Sequence, residues 1–129
     1  MPVRVDPSSD TPPSRQIVES LLDAVAALAP GARLPSVRAL AAEALVNPNT
    51  VAKAYREMEA LGVVASRSGL GVFVTPRGPG IAKGARRRRT LAAFRRAACQ
   101  AARAGHPPAA LERILHHESA GRVREGRNG

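Results

Sequence analysis

A mainly helical fold with one small β-hairpin is predicted by three features of this chain of 129 residues. Apolar residues recur at helical spacing in successive stretches from Ile17 to Leu61, each bounded by proline, glycine or a capping residue. Two short β-type runs, VVASR and VFV, follow around the glycine-containing turn SGLG. Helical periodicity then returns after residue 90. The expected organisation is a domain of helices and hairpin over residues 1–75, a basic Pro/Gly-rich linker over 76–90 whose glycines leave room for a helix to start near Ala82, a short two-helix appendage over 91–118 and a disordered tail over 119–129.

Val3 and Val5 alternate ahead of the turn-rich cluster Asp6-Pro7-Ser8-Ser9-Asp10, which reads as a short strand or extended arm. Thr11 then offers a cap and Pro12 a first helical position. Ile17, Leu21, Val25 and Leu28 form one apolar face running to Pro30-Gly31. Arg33-Leu34-Pro35 is extended, because a residue before proline is pushed out of the helical region. Ser36 caps a second helix whose Val37, Leu40, Ala41 and Ala44 follow i, i+3, i+4, i+7 spacing.

A third pattern opens after a very short break at Asn47-Pro48 and repeats at Val51, Ala54, Tyr55, Met58 and Leu61. Asn47 accepts from amides of the first turn, and Pro48 at the first helical position loses no bond, so this helix has a sharp start. Two helices so joined read as a helix-turn-helix, in which the N-terminal residues of the second helix meet base edges in the major groove. Here those residues are Pro48, Asn49, Thr50 and Lys53, on the side away from the apolar stripe. Asn matches an adenine edge, Thr an edge or a thymine methyl, and Lys a guanine or a phosphate. The same polar face also suits a helix pair that only meets solvent.

Gly62 supplies a left-handed stop, and the two β-type runs after it read as a hairpin, the wing of a winged helix. Arg67 and Ser68 are expected at its tip beside Gly69 and Gly71, where little side chain keeps the backbone from a phosphate or the minor groove.

Beyond the linker, Leu91, Phe94, Ala98 and Ala101 share one face, Gly105 stops the helix, and Pro107-Pro108 restarts one carrying Leu111, Ile114 and Leu115. Two short amphipathic helices cannot bury those faces completely against each other. Leu91, Phe94, Ala98, Leu111, Ile114 and Leu115 are therefore expected to pair with a second copy in a closed two-fold homodimer. Packing back on the same chain is the other solution. Cys99 is expected to be a buried or half-buried apolar filler. Residues from Ser119 onward have almost no apolar content, hence the expected disorder.

Twenty Lys and Arg against ten Asp and Glu give a net charge of +10, which points to a polyanionic partner. Tyr55, Phe73 and Phe94 are the only aromatic residues, too few for the stacking platform of a single-strand binder, so duplex DNA is favoured. The run Arg86 to Arg89 is either a solvated face or a source of sequence-independent phosphate attraction. A single cysteine excludes an internal disulfide, and with no spanning apolar run the expectation is a cytoplasmic protein without a membrane partner. His116 and His117 are adjacent and point about 100° apart on a helix, so no metal is expected. No catalytic constellation or phosphate cradle can be argued from spacing, so neither an enzyme nor a cofactor is expected, and a small-molecule effector is left unassigned.

The blocks VRVDPSSDTPPSRQI, PGARLPSVRALA, VNPNTVAKAYREMEALGVV and SRSGLGVFVT, in this order and spacing over roughly residues 3 to 75, resemble the GntR-type winged helix-turn-helix. The VNPNTVAKAY block and the short C-terminal part are most similar to the YtrA subgroup, whose members are dimeric repressors. The resemblance implies a DNA contact for Arg38, base-facing positions for Asn49, Thr50 and Lys53, and a wing tip at Ser68 and Gly69. Ser36 and Asn47 would combine capping with phosphate contact. The sequence departs from the family pattern at Ser14, where an aromatic is usual, at Ala39, which cannot complete a capping box with Ser36, and at Leu45, where glycine is common. Ala52 likewise replaces a longer side chain. A left-handed Leu45 would cost about 1 kcal/mol or more.

The sequence thus leads to a dimeric, sequence-specific DNA-binding regulator, with repression by promoter occlusion as the leading role and half-sites about one helical turn, or a multiple, apart. A nonspecific basic architectural DNA binder and a protein-interaction winged helix are the competing classes.

Overall fold

Proline rather than threonine opens the first helix. The computed structural model describes residues 3–127, and α1 spans Pro13–Val25 with Pro12 in an extended conformation before it (φ −57°, ψ 147°). Pro13 keeps the residue before it out of the helical region, which moves the start one position beyond the expected Pro12. Thr11 does not cap; its carbonyl accepts from Gln16 Nε2 at 2.8 Å. Gln16 also brackets the backbone of Asp6, accepting its N–H at 2.8 Å and donating to its carbonyl at 3.0 Å. The N-terminal residues therefore form an extended arm with Val3 buried in the core.

Helix α1 stops at Val25, earlier than expected, because the chain tightens into shorter-range bonds from Ala27 N–H to the Ala24 carbonyl and from Leu28 N–H to the Val25 carbonyl. Helix α2 (Val37–Ala44) begins as expected, the Ser36 hydroxyl accepting from Ala39 N–H at 3.1 Å. Helix α3 (Pro48–Ala60) packs against both α1 and α2. Ile17 and Leu21 of α1, Leu40 of α2, and Val51 and Met58 of α3 are completely buried. Leu61 instead caps the end of α3 and is exposed, because Gly62 (φ +80°) turns the chain away immediately after it.

Strands β1 (Val64–Arg67) and β2 (Gly71–Val74) form the antiparallel hairpin, in register Val64↔Val74, Ala65↔Phe73, Ser66↔Val72 and Arg67↔Gly71. Side chains alternate between faces. Val64 and Val74 are buried, so Ser66 and Val72 lie on the core side and Ala65, Arg67, Gly71 and Phe73 on the other. The extended segment before Pro35 adds a third, short edge. Gly31 N–H donates to the Val74 carbonyl, Val74 N–H to Ala32 and Leu34 N–H to Val72, each at 2.8 Å.

The expected linker is a helix. Helix α4 runs Gly78–Arg103 without a break. Its first turns bury Ala82 completely and lay Ile81 and Ala85 on the core. Those apolar residues, set among glycines, outweigh the local signal for a flexible connection. Gly78 is required by close approach, since a Cβ there would collide with the Val63 carbonyl. Thr75 prepares the junction, its hydroxyl donating to the Gly62 carbonyl at 2.6 Å.

Two compact units meet in sequence between Arg88 and Arg89. In the second, Gly105 (φ +97°) ends α4 as expected and α5 spans Pro108–Arg127. Helix α5 therefore continues into the stretch expected to be disordered, of which residues 128–129 lie outside the described residues. Low apolar content limits what a segment can bury, whereas adding residues to a nucleated helix needs only tolerable propensity, which Arg, Ala and Glu supply. Cys99 is exposed, not a core filler, because it lies off the face carrying Phe94, Ala98 and Ala101.

Candidate nucleic-acid interface

Asn47 and Pro48 set the start of the candidate reading helix. The Asn47 side-chain oxygen accepts from Asn49 N–H at 2.8 Å, and Pro48 occupies the first turn. With that oxygen committed to the cap, Asn47 retains only its amide donors for a phosphate. Asn49 and Lys53 project into solvent and Thr50 is half-buried. These three share an open hollow of about 320 Å³ with Pro13 and Ser14, so the start of α1 borders the polar face of α3. Periodicity assigns Pro13 and Ser14 no part in this surface; the one sequence signal for them is the small Ser14 where the family usually has an aromatic.

The turn into α3 rests on Leu45. Its backbone is left-handed (φ 57°, ψ 46°) and its side chain is 90 % exposed. The Leu45 and Val46 N–H groups both donate to the Ala41 carbonyl, closing α2. Leu45 is the only non-glycine residue with positive φ among the described residues. The apolar burial that normally offsets such a conformation is absent here.

Ser36 and Arg38 are exposed at the start of α2. Tyr55, legible in the sequence only as part of an apolar stripe, ties this start to α3. Its hydroxyl donates to the Pro35 carbonyl, and burial pushes its pKa up to about 12. The hairpin is held to the same helix, since Ser66 donates to Glu59 through its hydroxyl (3.2 Å) and its N–H (3.4 Å).

The hairpin tip comprises Ser68, Gly69 and Leu70, all exposed. Leu70 N–H donates to the Arg67 carbonyl at 2.9 Å, and Gly69 takes φ +74° at the third position, a type II turn. Arg67 belongs to β1 instead of the tip, and its guanidinium lies 5.2 Å from the Phe73 ring centre, a cation–π contact that restrains it. Arg86 is near Asp23 of α1 (3.9 Å), so the arginine run is not wholly a solvated face. Among the described residues, no group of His, Cys, Asp and Glu is placed to hold a metal ion. No helix among them is long and apolar enough to cross a membrane.

The profile of the bacterial regulatory proteins of the gntR family matches residues 13–74. A transcriptional regulator from Oenococcus oeni is 30 % identical with a TM-score of 0.67, the match covering 88 % of this chain and 95 % of that one. YtrA from Sulfolobus acidocaldarius, a GntR-family transcription factor, is 32 % identical with a TM-score of 0.54, over 58 % of this chain and 81 % of that one. The chain belongs to the GntR family. It is also 39 % identical over 75 residues to the HTH-type transcriptional repressor YtrA of Bacillus subtilis. That match spans 57 % of this chain and 58 % of the relative's length. Within the GntR family the chain is thus YtrA-like, and the relatives are named as regulators of transcription and not as enzymes. The family profile ends at residue 74, the last residue of β2, so it spans α1 to β2, whereas the match to the Oenococcus regulator extends over 88 % of the chain.

Proposed function

We propose that this GntR-family chain is a dimeric, sequence-specific repressor that occupies a two-fold-related operator. The observation that carries the reading is the capped start of α3, which leaves Asn49, Thr50 and Lys53 on the outer side of a helix to which the hairpin is also anchored. In this reading Asn49, Thr50 and Lys53 contact base edges from the major groove. Pro48 fixes the entry of the helix. Ser36, Arg38 and Asn47 contact phosphates and set the register, while Arg67, Ser68 and Gly69 bring the wing to the backbone or minor groove. The likeness to the transcriptional repressor YtrA of Bacillus subtilis supports repression as the direction of control.

Dimerisation is supported by the second unit. Phe94, Ala98, Leu111, Ile114 and Leu115 line an apolar groove of about 370 Å³, and Leu91, Phe94, Ile114 and Leu115 are exposed. Such a face in a protomer calls for a partner. A second copy satisfies it and supplies the second half-site reader.

Net charge of +10 favours one other reading, a nonspecific architectural binder. Selection of sites from random duplexes, followed by titration at matched salt, separates the two. The repressor reading expects a palindromic site bound roughly 10³-fold or more tighter than random DNA. Equal affinity for both, with a steep salt dependence, would favour the architectural reading.

A further inference from the structure

The sequence gives Arg33 no role beyond an extended backbone. The antiparallel bridge between Arg33 and Phe73 puts their side chains on one face of the sheet. Gly71, two residues before Phe73 and opposite Arg67, shares that face. Because Gly71 has no side chain, the Arg33 guanidinium leans diagonally across it. Arg33 Nε stands 2.9 Å from the place a Gly71 Cβ would take, and one terminal nitrogen 3.4 Å from it. Arg33 thereby enters the row occupied by Arg67, whose guanidinium is laid over Phe73. Both arginines are exposed, and neither makes an ion pair among the described residues.

Two exposed guanidiniums on one face of a small sheet, neither in an ion pair among the described residues, favour an anion over that face. The planar donor fork of arginine matches phosphate oxygens. The face also ends at the hairpin tip, since Gly71 and Arg67 are the last ladder pair before Ser68 to Leu70. We infer that Arg33 is a further phosphate-binding residue of the wing, acting beside Arg67 on the duplex backbone, with Gly71 giving it room. This inference rests on the duplex-binding reading proposed above.

Its test uses the full chain, a selected operator duplex and a random duplex, titrated across about 50 to 200 mM salt. Arg33→Gln should weaken both duplexes by the same factor and lower the magnitude of the log K against log salt slope by about one. Arg33→Lys should keep the wild-type slope, and both variants should melt with the wild type. Unchanged slope and affinity in Arg33→Gln, beside intact operator selection by the wild type, overturns the role of Arg33 alone. A lowered Tm with an unchanged slope assigns the side chain to hairpin packing and overturns it equally. No duplex binding by the wild type would overturn the proposed function as well.

Discussion

Asn49 and Leu45 carry opposite burdens within a few residues of each other. Asn49 is exposed beside a cap that already satisfies its own N–H, so its side chain is available to a base edge. Asn49→Ala is expected to relax selection at one base pair by about 1–3 kcal/mol while leaving the other positions of the site unchanged. Competition binding across single-base operator variants checks this, and an equal loss on every sequence would refute a reading role. Leu45 holds a left-handed backbone with its side chain 90 % exposed, so replacing it removes strain and almost no burial. Leu45→Gly should raise unfolding stability by about 1 kcal/mol, measured by denaturant titration. A decrease would mean that the exposed leucine is supported by contacts the fold does not display.

Local chemistry made α2, α3 and the hairpin legible in advance. Ser36, Asn47-Pro48 and Gly62 each act through atoms within a few residues, and all take the roles their types suggest. Helix α1 starts one position beyond Pro12 because the restriction from Pro13 prevails over the helix preference of the first proline. The start of α4, which the glycines leave open as far as Ala82, is obscured for a different reason. Its first turns are rich in glycine, and the benefit of burying Ala82 comes from tertiary contact that no local window contains. The candidate site shows the same division. Its base-facing residues were legible from helical spacing, whereas Ser14, Tyr55 and Arg33 reach it only through packing and pairing across long separations. The glycines of α4 give a paired test. Gly78→Ala should destabilise by about 1–3 kcal/mol through collision with the Val63 carbonyl. Gly84→Ala meets only the flexible end of Arg88 and should stabilise by about 0.5–1 kcal/mol. Thermal unfolding of the two variants beside the parent decides whether the first turns of α4 belong to the folded domain.

The molecule as a whole pairs a well-buried first unit with a second unit whose apolar side chains remain accessible. Phe94 and Ile114 are 50 % and 61 % exposed, and covering their apolar area is favourable. Phe94→Asp is therefore expected to shift the chain toward monomer in sedimentation equilibrium and to weaken operator binding, because two half-sites are then engaged one at a time. A variant that remains dimeric would place the pairing surface elsewhere. The gntR-family profile covers α1 to β2, while a net charge of +10 favours any polyanion, so charge and selectivity must be measured apart. The central claim is that α3 reads sequence. It is tested most directly by comparing the affinity of the wild-type chain for a selected palindromic duplex and for a scrambled duplex of equal length, at one salt concentration. Discrimination of roughly 10³-fold or more is the predicted result, and equal affinity for the two would contradict it.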